Sequence, residues 1–333
     1  MVTLPKVFVA ELTPVCNHQC IFCSCPWEND KEYKPQLLSA NEWKNILTKI
    51  RSFGVKQVTF TGGEATTRKD LFEILDCAYD LGFSMGLISN GKLIDDEFLN
   101  KIKKYNLLLS ISVPGIKTFK ETTKIDGIDH TLEIFTKCKK LGIKTTANIT
   151  VTKKNIKELY ENIALPLING AEYVLLNRFL PGGRGLQNKE FLLSLDEINQ
   201  MLDIAEEVLE KSGVSGHIGT ELPLCIVKNP DKYKHINVSY KCAAAKEFFV
   251  IDPSGFVKVC NHSPKQCCHW TEIDNIIYNE YWNKFINSDY IPDMCKNCKY
   301  LSTRCDGGCR EAAHVTNGAI NAPDPCFDKK LYS

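Results

Sequence analysis

The sequence predicts an α/β fold, a parallel β-sheet covered by helices, followed by a smaller cysteine-rich domain. Three observations lead there. Short β-rich runs alternate with longer helical stretches across residues 7–211. The runs are almost continuously apolar, as strands buried on both faces must be. From Cys242 onward the composition changes to short elements dense in cysteine. A chain of 333 residues is long enough for one large α/β domain and a small second one.

The strands are expected at VFVAEL (7–12), QVTFTG (57–62), SMGLIS (84–89), LLLSISV (107–113), TTANITV (145–151) and EYVLLN (172–177). Helical periodicity falls between them at 40–53, 70–81, 95–104, 130–141 and 155–163. A last helix, 195–211, places Ile198, Met201, Leu202, Ile204, Ala205 and Leu209 on one face. Six such units are too few for a closed eight-stranded barrel. Residues 212–241, rich in Gly, Pro and polar residues, read as a connector. The domains are therefore expected at 1–211 and 242–333, joined by 212–241.

The balance of 41 basic and 40 acidic residues gives a formal charge of +1 with no basic stripe, which argues against nucleic acid and anionic lipid as partners. No apolar stretch reaches the roughly 18–20 residues that cross a bilayer. The N-terminal residues lack the features of an export signal. A soluble cytoplasmic protein with no membrane association is expected. Sixteen cysteines in a reducing compartment point to metal binding or catalysis rather than disulfides. Four lie within residues 16–25 and nine within 242–326. Cys77, Cys138 and Cys225 stand apart and read as small buried apolar residues.

The string CNHQCIFC, just after the first strand, places Cys16, Cys20 and Cys23 in a C-x3-C-x2-C spacing with Phe22 before the last cysteine. Structural zinc and ordinary ferredoxin-type sites take four ligands. Three thiolates around a [4Fe–4S] cube leave one iron open to a reactant. On these residues the chain resembles the radical S-adenosylmethionine (SAM) superfamily. The resemblance implies that the open iron chelates SAM, whose reductive cleavage gives a 5′-deoxyadenosyl radical that abstracts hydrogen from carbon. It implies a partial (β/α)6 TIM-like barrel, with the cluster loop after the first strand. It also implies an external electron donor such as flavodoxin or ferredoxin.

Further residues are carried over by position. Gly62, Gly63 and Glu64, in TGGEATT, match the family motif that contacts the SAM amine; without a Cβ, the glycines let backbone approach a ligand. Ser89 and Asn90 (LISNGKL) and Ser112 (LLLSISVPG) resemble residues lining the SAM pocket, although no Asp follows Ser112 as it often does in relatives. Asn148 and Arg178 are expected as ribose and carboxylate contacts. Cys25 is expected to be a bystander, and no catalytic acid or base is identified.

The C-terminal cysteines carry a second pattern. Cys242 precedes Gly255-x4-Cys260; then come Cys295-x2-Cys298-x6-Cys305-x3-Cys309, and finally Cys326. Taken alone, the paired spacing reads as two zinc ribbons, but seven cysteines do not divide into two four-ligand sites. A zinc scaffold or an electron carrier would also leave the three-cysteine site beside Gly-Gly-Glu unexplained. The series resembles the SPASM extension of radical SAM enzymes, which implies two auxiliary [4Fe–4S] clusters and three clusters in all. By that resemblance Cys295, Cys298, Cys305 and Cys326 hold the distal cluster, and Cys242, Cys260 and Cys309 the proximal one. Its fourth position is either an open iron or is filled by Cys267 or Cys268; His262 and His269 are expected to be ordinary hydrogen-bonding residues.

SPASM enzymes mostly modify peptides, which implies a peptide substrate and a thioether or carbon–carbon crosslink or an epimerisation. Tetrapyrrole side-chain modification is the alternative. Sulfatase maturation is disfavoured, because Asn261 follows Cys260 where sulfatase maturases carry an Asp. With 15 residues before Cys16, a leader peptide is expected to need a separate recognition partner or direct capture.

Overall fold

The computed structural model describes residues 3–28 and 36–327. The six expected runs form β1 (Val7–Glu11), β2 (Gln57–Thr61), β3 (Ser84–Ser89), β4 (Leu108–Ser112), β5 (Thr145–Val151) and β6 (Tyr173–Arg178). They pair in parallel and in chain order. Between them lie α1 (Ala40–Ser52), α2 (Leu71–Asp80), α3 (Asp96–Ile102), a short α4 (Phe119–Thr123), α5 (Ile128–Leu141) and α6 (Leu159–Ile168); α7 (Leu195–Ser212) follows β6.

Local chemistry sets the helix ends. Ser39 and Glu42 make a capping box on α1, and Ser194 and Glu197 make one on α7. Gly213 takes φ +66° to end α7. The inner faces bury Trp43, Ile46 and Leu47 of α1 and Ile74 and Leu75 of α2, all fully covered. Each such side chain contributes roughly 1.5–3 kcal/mol of burial. Helix α6 starts later than the periodicity predicts. Residues 156–158 form a tighter turn, held because the Asn155 side chain donates to Pro114 O and Thr150 O (both 2.8 Å).

The segment 212–241 is more than a connector. Gly216–Ile218 forms β7 and Ile236–Val238 forms β8, which extend the parallel sheet beyond β6. Three-residue strands are too short to leave a period in the sequence. The cysteine-rich region also joins the sheet. Its β9 (Phe248–Ile251) pairs in parallel with β1 in the register Val7↔Phe248, and β10 (Phe256–Lys258) and β11 (Cys268–His269) continue antiparallel. The β9–β10 turn needs Gly255 at φ +88°, with Asp252 accepting from the amides of Ser254 and Phe256. Helices α8 (Glu280–Ile286) and α9 (Arg310–Asn317) complete the region.

The strand order is β11-β10-β9-β1-β2-β3-β4-β5-β6-β7-β8. One apolar core runs from Leu4 and Phe8 through the helical layer to Phe249, Val257, Trp282 and Phe285. Phe8 stacks on Phe249 at 5.4 Å between ring centroids, and Trp282 meets Phe249 edge-on at 6.3 Å. Among the described residues, no helix is long and apolar enough to cross a membrane.

Candidate functional site

The C-terminal ends of β1–β7 open onto one cavity of about 410 Å³. In barrel-like folds this end of the sheet carries the chemistry, because the loops there converge. Cys16, Cys20, Phe22 and Cys23 line the cavity from the loop after β1. Across it stand Gly62, Gly63, Glu64, Ser89, Asn90, Ser112, Asn148 and Arg178. Cys242, Cys260 and Cys309 reach the same cavity from the cysteine-rich region.

The two glycines after β2 are required by the cysteine loop itself. Gly63 N donates to Thr13 O (2.6 Å) and Glu64 N to Val15 O (2.8 Å). A Cβ on Gly62, at φ +141°, would lie 2.5 Å from Thr13 O, and one on Gly63 would lie 2.5 Å from Val15 O. The close approach expected toward a ligand is thus made to the chain leading into Cys16. Two further segments clamp the loop. Gln19 N and Ile21 N donate to the carbonyls of Thr123 and Thr122 at the end of α4. Arg184 Nη1 donates to Cys20 O (2.9 Å) and Asn188 Nδ2 to Ile21 O (2.9 Å). Gly185 N donates to Cys23 O (3.0 Å). Sequence reasoning missed these supports; the run PGGRG after β6 was their one visible sign.

Glu64 organises the neighbouring loop. Its Oε1 accepts from Thr66 N, Thr66 Oγ1 and Ser89 Oγ (2.9 Å), and its Oε2 from Asn90 N (2.7 Å). Burial raises its carboxyl pKa, against the pull of those donors. Oε2 keeps a lone pair for one further donor. Asn90 in turn donates to Asn17 Oδ1 (2.6 Å) and lies 3.9 Å from Cys16 Sγ, which also accepts from His18 N at 3.4 Å. Asn148 Oδ1 accepts from Asn177 Nδ2 (3.0 Å) on the next strand. Cys25 also lines the cavity, 3.8 Å from Gly62 O.

Arg178, expected as a carboxylate contact, lines the cavity with its guanidinium engaged by the C-terminal region. Its guanidinium makes a buried, two-pronged ion pair with Asp324 (2.9 and 2.6 Å) and donates to Glu221 O (2.8 Å). Asp324 also accepts from the amides of Cys309 (2.8 Å) and Cys326 (3.0 Å). The pair therefore pins β6 to the segments carrying two cysteines, a role invisible without knowing that residues 178 and 324 meet. Asp306 does a similar job for Cys242, whose amide reaches both its oxygens, and Tyr290 donates to it at 2.8 Å.

The C-terminal cysteines fall into two groups. Cys242, Cys260 and Cys309 are buried and act electrostatically on one another. Cys295, Cys298 and Cys305 form the other. Cys305 Sγ accepts from Gly307 N (3.3 Å) and Leu224 N (3.5 Å), the kind of N–H···S contact that steadies a ligating sulfur. Cys326 is buried beside Asp324. Cys225 is exposed and lies within electrostatic reach of Cys295, Cys298 and Cys305, a correction to its reading as a core thiol; Cys138 is buried. Burial pushes the thiols of Cys242 and Cys260 well above their ordinary range. Desolvated thiols in this number suit a positively charged iron–sulfur core that compensates their ionisation. Among the described residues no three His, Cys, Asp or Glu side chains are gathered tightly enough for a single ion. A cube of four irons and four sulfides spreads its ligand positions around a larger body.

On the wall nearest β9, Glu11 pairs with Lys258 (2.8 Å) and accepts from Asn261 Nδ2 (2.9 Å). Glu311, on α9, accepts from Tyr281 OH (2.7 Å) and lies 2.9 Å from His314 Nδ1. Burial holds the His262 imidazole neutral, with a pKa of about 4.

Residues 10–165 match the family model of the radical SAM superfamily. They form a radical SAM domain. Around that domain the likeness extends over nearly the whole chain. The PqqA peptide cyclase of Bradyrhizobium diazoefficiens is 26% identical over 349 residues, covering 99% of this chain and 88% of that protein. The PqqA peptide cyclase of Gluconobacter oxydans is 28% identical over 340 residues, covering 97% and 90%. Among solved structures, Streptococcus suis SuiB bound to its precursor peptide SuiA superposes with a TM-score of 0.76 at 17% identity, over 98% of this chain and 76% of that one. The structure of anSMEcpe with bound AdoMet and the Cp18Cys peptide superposes at 0.73 and 15% identity, over 98% and 95%. The radical SAM domain and the cysteine-rich region thus share one fold with these solved structures.

Proposed function

We propose that this chain is a radical SAM enzyme that modifies a peptide, abstracting hydrogen from one residue so that a thioether or carbon–carbon bond forms or a centre is epimerised. The observation that carries the reading is the shared cavity, onto which both the Cys16–Cys20–Cys23 loop and the Cys242–Cys260–Cys309 group face. Likeness to proteins named peptide cyclases along 97–99% of the chain supports the peptide as substrate.

Cys16, Cys20 and Cys23 would hold the first [4Fe–4S] cluster, and Phe22, Gly62, Gly63, Glu64, Ser89, Asn90, Ser112 and Asn148 would line the SAM side. When bound, that cluster supplies the electron for SAM cleavage and hence the hydrogen-abstracting radical. Glu64 is placed to take the SAM amine on its remaining lone pair, while the clamps from α4 and Arg184 hold the cysteine loop. Cys242, Cys260 and Cys309 would carry a proximal auxiliary cluster, and Cys295, Cys298, Cys305 and Cys326 a distal one, giving an electron path between cavity and surface. Arg178 is assigned to holding that region in place rather than to SAM. Asn261, engaged with Glu11, offers no base where sulfatase maturases have one.

The test is anaerobic reconstitution followed by assay with a reductant, an external flavodoxin or ferredoxin, and a candidate precursor peptide. About twelve irons per chain, 5′-deoxyadenosine formation and a peptide mass change are expected. Turnover of a tetrapyrrole instead of any peptide would overturn the substrate assignment. Only about four irons with SAM cleavage intact would overturn the auxiliary clusters.

A further inference from the structure

Three cysteines face the cavity from the C-terminal side, one fewer than a closed cube takes. Cys267 and Cys268 do not supply the fourth. Cys268 opens β11 and Cys267 immediately precedes it, where Cys267 N donates to Val257 O (2.8 Å) and its carbonyl accepts from Asn279 (2.7 Å). Neither lines the cavity, and the charged groups nearest Cys268 are Glu272 and Lys49 on the outer side.

Most buried carboxylates around the cavity are already engaged. Glu11 holds Lys258 and Asn261, Glu64 holds four donors, and both oxygens of Glu311 meet Tyr281 or His314. Glu221 differs. It follows β7, where parallel pairing carries the chain to the cavity: Gly219 N donates to Leu176 O (2.9 Å), and Arg178 N donates to Thr220 Oγ1 (3.1 Å). Its main chain is gripped by the Arg178 guanidinium. Its carboxylate accepts one long bond, from Ala243 N at 3.3 Å, the residue after Cys242. No ion pair joins it to a cation among the described residues, although it lines the same cavity as the three cysteines. It is the foremost charged group acting on the thiols of both Cys242 and Cys309.

A carboxylate facing the buried Cys242 and Cys309, with the nearby Arg178 guanidinium already paired to Asp324, is unfavourable unless a positive centre sits between them. We propose that Glu221 is the fourth ligand of the proximal auxiliary cluster, closing a Cys3Glu set with Cys242, Cys260 and Cys309. This rests on the auxiliary-cluster reading above. It replaces an open iron there with a carboxylate-ligated one, so substrate does not bind that cluster in the resting enzyme.

The test uses the full chain with Cys16, Cys20 and Cys23 changed to Ala, so that only the auxiliary sites load. Iron content and the EPR spectrum of the reduced clusters are recorded with and without excess 2-mercaptoethanol. With Glu221 present, about eight irons and a thiol-insensitive spectrum are expected. Glu221→Ala should make the spectrum thiol-dependent, and Glu221→Cys should restore insensitivity with shifted g values. Should Glu221→Ala lose iron outright, recovery of the full content in Glu221→Cys supports the assignment, and no recovery overturns it. A thiol response already present with Glu221 intact overturns it by showing an open iron. So does an effect seen in His262→Ala and not in Glu221→Ala. About four irons in the starting protein would instead remove the proximal cluster itself, and Glu221 as its ligand with it.

Discussion

Arg178 and Gly63 show how single side chains hold the site together. Arg178→Ala would leave the Asp324 carboxylate fully buried without its cation. Breaking a buried pair from one side costs about 3–5 kcal/mol. Chemical denaturation should show that loss, and iron should leave the C-terminal cysteines first. Unchanged stability would mean the pair does not hold the cysteine-rich region. Gly63→Ala acts differently, because its Cβ would meet the Val15 carbonyl at 2.5 Å. The cysteine loop would be displaced by a fraction of an ångström or more, and misplacement on that scale lowers rates by roughly 100-fold. The 5′-deoxyadenosine assay should record this while far-UV circular dichroism stays the same. Gly63 was legible in the sequence as part of Gly-Gly-Glu; its partner was not, because nothing in TGGEATT says that residues 13–15 lie against it.

At the level of elements, β9 matters most. It adds to β1 in parallel, and so brings Cys242 and Cys260, which flank it in sequence, to the mouth of the Cys16 loop. Its anchor is Phe249, fully buried between Phe8 and Trp282. Phe249→Ala should destabilise the protein by about 3–5 kcal/mol, measured by urea titration, and lower the auxiliary iron content. A loss below about 1 kcal/mol would show that the site collapses around the gap. Strands β1–β6 were legible because long apolar runs separated by helical periods have one economical arrangement. Strands β7 and β8 were not, since strands of three residues carry no period.

For the molecule as a whole, one sheet carries strands from residues 7–178, from 212–241 and from the cysteine-rich region, and one large apolar cluster spans them. Leu4 and Phe8 at one end of the chain belong to the same apolar cluster as Trp282, Phe285 and Cys326. The cluster-free protein should therefore unfold in one transition, with near-UV and far-UV signals coinciding. A separate early transition of the cysteine-rich region would contradict this. The same continuity places both cysteine groups on one cavity.

The order of cysteines, the Gly-Gly-Glu step one βα unit later and the succession of six strands were all determined by sequence alone. These features are local: a spacing of two or three residues already dictates which ligands can share a site, and a period dictates which face is buried. Only the tertiary structure decided that Arg178 meets Asp324, that Asn261 meets Glu11, that Cys225 lies within electrostatic reach of Cys305, and that Glu221 lines the same cavity as Cys242 and Cys309. Each of those pairs joins residues tens to hundreds of positions apart. Such meetings depend on strand register and on how the sheet extends past β1 and β6, and no local pattern encodes either.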